Sequence, residues 1–295
     1  MDIFKGQEII EFSKRFQNDL DCKEYLSELK WASGYKCRRC GHHLSQVRID
    51  YSRTCNKCSD TESPGADALF HKVKFGLLKA FHICFEMSTT SKSFSALQVA
   101  RRYGIRPETA RTFMHKVREA MKSSGSKPMK GEVHVDEFVI GGRDSERQGR
   151  SYGGKKKKVV CAVELTDKGK VKRFYAMKIM DFSAKSLRPI FERHISVEAK
   201  VTTYEWKVYR PLTQDYNITQ QVSQPGLNFN AIHTMIHQVK SWIRTIFTWV
   251  SKRNIDRYMN EFSYRNNRSQ TKETIFHNLI TRMVNADKLY VQNIL

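Results

Sequence analysis

Residues 132–140, EVHVDEFVI, are the stretch on which the fold turns. Their apolar positions recur every second residue, the period of a β-strand rather than a helix. Alternation puts Val133, Val135 and Glu137 on one face, and His134, Asp136 and Phe138 on the other. With Val133, Val135 and Phe138 around it, the strand reads as interior. A carboxylate there needs a partner or a metal, since an unpaired buried charge is costly. Asp136 is therefore the first candidate for chemistry; the plainer reading is a carboxylate that is salt-bridged or sits at a sheet edge.

Downstream, a Gly/Arg/Lys loop (141–158) leads into VVCAVEL (159–165), and the turn TDKGK (166–170) joins it to KRFYAMKIM (172–180) as a hairpin. Ser183 reads as the N-cap of a helix over 184–195, followed by a short strand near 199–203. Residues 213–228 read as irregular, and three helices close the chain at about 230–250, 252–265 and 272–285. Strands followed by helices in this order fit an α/β layered domain.

Upstream, SSGSKPMKGE (123–132) is a small-residue, Pro/Gly stretch that marks a domain boundary. Before it, SFSALQVARRYGIRPETARTFMHKVREAM (93–121) has the form of a helix-turn-helix. Leu97, Val99 and Ala100 serve the first helix, Gly104 the turn and Pro107 the start of the second. Ala110, Phe113, Met114 and Val117 are expected inside. Arg111, Thr112, His115, Lys116 and Arg118 are expected outside, where cations suit phosphate contact and groove reading. Two ordinary packed helices are the bland alternative.

Residues 8–30 read as one or two short helices. Then Cys37-x-x-Cys40 and Cys55-x-x-Cys58, with 14 residues between the pairs, match a four-cysteine zinc ribbon. Gly41 permits the first tight turn, and Arg38, Arg39 and Lys57 offset thiolate charge. A pair of redox dithiols is the competing reading. Cys22, Cys84 and Cys161 are scattered, and an odd total of seven argues for thiols in a reducing cytoplasm.

The charge balance narrows the partner. Fifty-two Lys+Arg against 30 Asp+Glu give +22, a field that calls for a polyanion, either nucleic acid or a membrane surface. No apolar run approaches the roughly 20 residues of a spanning helix, and the amphipathic, charge-interrupted start does not read as a signal peptide. Double-stranded DNA is the expected partner and no membrane is expected. In the helix at 230–250, His233, His237, Lys240 and Arg244 fall on one face, opposite Ile232, Met235, Ile236, Val239 and Ile243. That face can share a metal or touch phosphate; it can equally be a solvated basic face resting on DNA.

Together these segments resemble the DDE-type transposases of insertion-sequence family 1595, the branch with an N-terminal zinc ribbon. The likeness runs through CKEYLSELKWASGYKCRRCG (22–41), VHVDEFVIGG (133–142), GGKKKKV (153–159), TTYEWKVY (202–209), HTMIHQVKSWIR (233–244) and YMNEFSYRNNR (258–268). It implies four regions: N-terminal helices and zinc ribbon over 1–70, a helix-turn-helix region over 71–125, an RNase H-like catalytic domain over 131–250, and C-terminal helices over 251–295 packed on that domain.

The resemblance also implies roles. Asp136 would be the first catalytic ligand of a Mg or Mn centre, His233 the third, and Lys240 the DNA-contacting lysine, with Arg244 beside it. The family pattern Thr-Asp-x-Trp-x-x-Tyr falls on Thr203, Tyr204, Trp206 and Tyr209, so Tyr204 stands where the second aspartate belongs. Glu205 is the nearest substitute acid. Phosphoryl transfer on element ends and target DNA is implied, in a homodimer or larger synaptic complex, in a bacterial cytoplasm near the nucleoid. Tyr204 impairs that chemistry on this reading; a catalytically inactive DNA-binding derivative is the alternative. A zinc-ribbon transcription factor with an unrelated C-terminal domain is the remaining rival, and it predicts no close approach of Asp136 to His233.

Overall fold

In the computed structural model, residues 2–90, 92–141, 156–222, 224 and 227–294 are described. The central part of the Gly/Arg/Lys loop, 142–155, lies outside them. The chain divides into two compact units, Met1–Met121 with Arg268–Leu295, and Lys122–Asn267. The first unit begins with α1 (Ile9–Arg15) and α2 (Asp19–Lys30), then β1 (Ser45–Val47), β2 (Arg53–Cys55) and β3 (Thr61–Glu62). It continues with α3 (Leu77–Thr89), α4 (Ala96–Tyr103) and α5 (Pro107–Ala120). The second unit holds β4 (Glu132–Ile140), β5 (Lys157–Leu165), β6 (Val171–Ile179), α6 (Ala184–His194), β7 (Lys200–Tyr204), β8 (Ile218–Gln221), α7 (Asn230–Ile246) and α8 (Ile255–Asn266). The last helix, α9 (Ile275–Asn285), belongs to the first unit.

Local chemistry sets the helix ends. Asn18 caps α2 by accepting from the backbone N–H of Leu20 (2.7 Å) and Asp21 (3.2 Å), while the Asp21 carboxylate accepts from the Asn18 N–H at 3.1 Å. Ser95 and Gln98 form the same reciprocal pair at the start of α4, and Ser183 caps α6 through the Ser186 N–H. Gly104 ends α4 at φ +58°, a left-handed conformation that glycine adopts without a Cβ penalty.

In the second unit the sheet runs β6-β5-β4-β7-β8. The first three strands pair antiparallel, and β7 and β8 add in parallel. Both faces of its centre are buried. Val133, Val135, Val160 and Ala162 pack with Leu187, Ile190 and Phe191 of α6. Phe138, Ile140, Val159, Cys161 and Val163 pack with Ile232 and Val239 of α7 and Ile255 and Met259 of α8. The fold is α/β and RNase H-like. The strand β8 falls inside 213–228, which the sequence reading left irregular: ITQQ is four residues on a sheet edge, paired only to β7, and carries no apolar alternation.

The first unit is built around aromatic rings. Phe276 of α9 lies within 6.5 Å, centroid to centroid, of Phe4, Phe12, Phe16, Tyr25, Phe81 and Phe85. Residues 251–295 were expected on the catalytic sheet. Of them, α8 packs on β6, but α9 packs against α2, α3 and α5. Phe276→Ala is accordingly expected to destabilise this unit by about 3–5 kcal/mol. A urea midpoint unchanged from the native chain would show that α9 is no part of its core.

The same packing corrects the expected DNA face of α5. Arg111 is exposed and Thr112 half-buried, but His115, Lys116 and Arg118 are buried. Lys116 donates to the His71 carbonyl at 3.3 Å, and burial holds its pKa below the usual lysine range. The helix is covered by α3, α4 and α9, so only its first turns reach solvent. In α4, Val99 and Ala100 are buried while Leu97 is 49 % exposed.

Candidate metal module and catalytic pocket

The four cysteines converge. Their sulfurs all lie within 4.8 Å of one another, and the Cys37–Cys58 and Cys40–Cys55 pairs are each 3.6 Å apart. A tetrahedron with metal–sulfur bonds of about 2.3 Å has edges of about 3.8 Å, so this spacing suits zinc. The two knuckles repeat one geometry. Cys37 O accepts from Gly41 N (2.9 Å) and Cys55 O from Ser59 N (3.0 Å); Cys37 N donates to His42 O (2.8 Å) and Cys55 N to Asp60 O (2.9 Å). Gly41 and Ser59 close the turns at φ +72° and +55°.

Two of the thiols, Cys37 and Cys55, are polarised for ionisation. Backbone N–H groups of Cys40 and Arg39 draw the Cys37 thiol down to about 6. The Asp60 N–H pulls Cys58 the same way, yet burial and the neighbouring sulfurs push it up to about 12. Four crowded sulfurs cannot all shed protons until a cation neutralises them. Arg38, expected to balance thiolate charge, instead pairs with Asp60 and Asp67 at 3.0 Å each. Trp31 and Tyr35 back the cluster with Cys37 and Cys55, and Arg53 stacks over Trp31 at 4.9 Å.

The second site lies where β4, β7 and α7 meet. Val135 pairs with Thr203 in the parallel register, which brings Tyr204, the last residue of β7, beside Asp136 in the middle of β4. Gln220 of β8 donates to the Tyr204 and Trp206 carbonyls at 3.3 and 2.8 Å, fixing the end of β7. Across from them α7 carries His233, whose Nε2 is 3.9 Å from Asp136 Oδ2 and hydrogen-bonds the Tyr204 hydroxyl. This approach removes the transcription-factor rival's prediction. Asp136, Glu137, Phe182, His233, His237 and Lys240 line a cavity of about 370 Å³. Glu205 does not line it; its side chain is exposed and its backbone N–H bonds Gln221 O at 3.0 Å.

Electrostatics in the pocket follow from partial burial. Burial lowers the His233 pKa, so its imidazole is neutral near pH 7. Lys240 is also lowered, by burial first and by Arg244 second, against a pull from Asp136. Its ammonium lies 5.6 Å over the Phe138 ring. Arg244, the last member of the basic stripe, is exposed.

Two supports were not visible in the sequence reading. Phe229 starts α7 at φ +60°, with its ring 4.3 Å from Tyr204 and 5.2 Å from His134; it falls between the stretch read as irregular, 213–228, and the helix read from about 230. Tyr209, fully buried, donates its hydroxyl to the Glu137 carboxylate on the opposite side of β4 from Asp136. That bond ties the segment after β7 to the strand bearing Asp136. Its place in the Trp206-x-x-Tyr209 segment of the family likeness was its only sequence signal.

Sequence profiles of two families match the chain. The ISXO2-like transposase domain covers residues 128–267, and the transposase zinc-ribbon domain covers residues 17–61. The chain belongs to the IS1595 family of transposases. No curated protein sequence matches it. The four-cysteine cluster is thus the zinc ribbon of this transposase, and the β4–β7–α7 pocket lies in its DDE domain. Among the described residues no helix is long and apolar enough to cross a membrane.

Whether the DDE pocket suits paired magnesium ions depends on its donors. Magnesium prefers anionic oxygen in near-octahedral array. Asp136 supplies one carboxylate, His233 a neutral nitrogen, and Tyr204 a phenol. Among the described residues, the only group of three or more His, Cys, Asp or Glu donors close enough to share an ion is the zinc ribbon. The native donor set does not fit two magnesium ions.

Proposed function

We propose that this chain is an insertion-sequence transposase that binds the terminal inverted repeats of its element, and that Tyr204 impairs its metal-dependent strand cleavage and transfer. The observation that carries this reading is the Tyr204 hydroxyl, in the place of a second carboxylate, bonded to His233, whose own Nε2 is 3.9 Å from Asp136 Oδ2. Mg or Mn is the cofactor such phosphoryl transfer takes, supplying charge neutralisation at the scissile phosphate; the pocket is short of one carboxylate for it. What remains suits DNA holding. Lys240 and Arg244 extend along one face of α7, and a net charge of +22 attracts the duplex.

The zinc ribbon and helix-turn-helix would engage the element ends. In the latter, Arg106 and Arg111 at the start of α5 are exposed, the end of a recognition helix that reaches base edges. Arg111→Ala and Arg244→Ala are each expected to lower the slope of log affinity against log salt by about 0.9, the loss of one phosphate contact. A slope unchanged in both would remove these faces from the interface. A synaptic complex of two or more copies would join two ends, and target DNA would enter the same pocket.

The deciding assay is cleavage of donor DNA carrying the element ends, with Mg²⁺ or Mn²⁺. The native chain should bind the DNA yet release no more product than Asp136→Ala. Robust cleavage by the native chain, lost in Asp136→Ala, would overturn the impairment. In that event loss on Glu205→Ala would identify Glu205 as the substitute ligand.

A further inference from the structure

Just beyond the end of α7 the chain holds a large apolar ring out in water. Trp249 is 73 % exposed, whereas Trp31 and Trp242 are buried and Trp206 is half-buried. The residues on either side of it are anchored. Phe247 packs edge-on against Trp242 at 5.3 Å and Tyr258 at 4.6 Å, and Val250 is buried in the core beside the sheet. Pinned on both sides, the segment presents its indole outward. Lys157, the first residue of β5, places its ammonium 5.8 Å over the ring. One cation cannot cover both faces of a ring so exposed, and an open face is left for stacking. We propose that Trp249, flanked by Lys157, is a stacking site for an unpaired DNA base, either displaced from a duplex or carried in a single strand.

The surroundings favour a nucleic-acid base over an apolar protein partner. The core of a protein interface is depleted of charge, but here Arg244 is exposed in the last turn of α7 and Lys252 is exposed three residues beyond Trp249. His233, His237, Lys240 and Arg244 follow one face of α7, about 17 Å from first to last at about 1.5 Å per residue. Strand β4 runs the same way: Asp136 lies beside His233, Lys240 lies over Phe138, and Ile140 pairs with Lys157. The row of cations therefore leads from the pocket towards the tryptophan. A strand lying along it would meet positive charge at successive phosphates, and a free base at its end would reach the indole. Bases inside a duplex are already stacked, so only a base that has left its helix can use such a ring. Stacking of this kind tolerates any sequence, because every base has a π-face.

The inference rests on the DNA binding proposed above and not on the state of catalysis. The test takes the full, zinc-filled chain and reads tryptophan emission and affinity with three probes: a paired duplex, the same duplex with one unpaired thymine, and oligothymidine. Emission should be quenched by the two unpaired probes and not by the paired duplex, and the quenching should vanish in Trp249→Phe. Affinity for both unpaired probes should fall about tenfold in Trp249→Ala and much less in Trp249→Phe, which keeps a ring. The paired duplex should bind Trp249→Ala as it binds the native chain, with an unchanged slope of log affinity against log salt. Lys157→Ala should lower that slope on oligothymidine by about 0.7, the loss of one phosphate contact. Because the ring is exposed, an unchanged melt checks the fold of both Trp249 variants. A loss confined to one unpaired probe would support the site and assign its source, displaced base or single strand. The proposal is overturned by quenching that survives in Trp249→Phe, by equal affinity losses on paired and unpaired probes, or by unaltered affinity in Trp249→Ala. A chain that binds none of the probes ends the DNA-binding reading as well; one that binds the paired duplex but fails these tests ends this inference alone.

Discussion

Stripping zinc from the ribbon is expected to unfold residues 37–62 while the aromatic core of the same unit survives. The ribbon has no other source of stability of comparable size. Its three strands are two or three residues long, and its apolar backing is little more than Trp31 and Tyr35 beside the cysteines. Sheets this small do not stand alone in water. Structural zinc in comparable peptides supplies an apparent 10–16 kcal/mol, roughly, near neutral pH. Cys55→Ser should therefore abolish zinc retention and open the ribbon. Cys161→Ser should retain zinc, because Cys161 is buried alone in the sheet, with its thiol donating to the Asp136 carbonyl at 3.4 Å. Hydrogen exchange with metal analysis decides it: slow exchange across 37–62 after chelation would show that the fold does not depend on the ion.

How far the sequence carried depends on whether a feature is local or tertiary. The zinc module is local, since two CxxC turns bring their own geometry, and it was legible from spacing alone. The strand bearing Asp136 was legible too, because alternation in VHVDEFVI reports its two faces directly. His233 and Lys240 came from helical periodicity combined with family likeness, and they line the same cavity as Asp136. The misses share a cause. Nothing in the α5 segment announces that α9, more than 150 residues later, covers its far side; hence Lys116 and Arg118 read as surface cations. Phe229 escaped because it packs its ring on Tyr204 at the end of β7, a contact with no period in sequence. Glu137 followed the alternation, but its partner Tyr209 arrives from a 3-10 turn at Lys207–Leu212 that no pattern foretold.

Tyr204→Asp is expected to convert the DDE pocket into one that takes Mg²⁺ or Mn²⁺ and cleaves donor DNA at least about a hundredfold above the native chain. An absent metal ligand costs several kcal/mol of transition-state stabilisation, and each 1.36 kcal/mol, roughly, is tenfold in rate. The position is right for it. Residue 204 ends β7 one step beyond the Val135–Thr203 pairing, so a carboxylate there would stand beside that of Asp136. Two adjacent carboxylates repel, and the pair would hold a proton until a cation relieves them. The variant should therefore melt at higher temperature with added Mg²⁺, while the native chain should not respond. Some stability is lost first, because the Tyr204 ring no longer stacks on Phe229; a deficit of about 1–3 kcal/mol without metal is expected. The double variant Tyr204→Asp/Asp136→Ala should lose the gained cleavage. If Tyr204→Asp folds, binds the element ends and still leaves them intact, the phenol is not what separates this pocket from an active one. The deficit then lies in the His233 imidazole, for which His233→Glu is the decisive second variant.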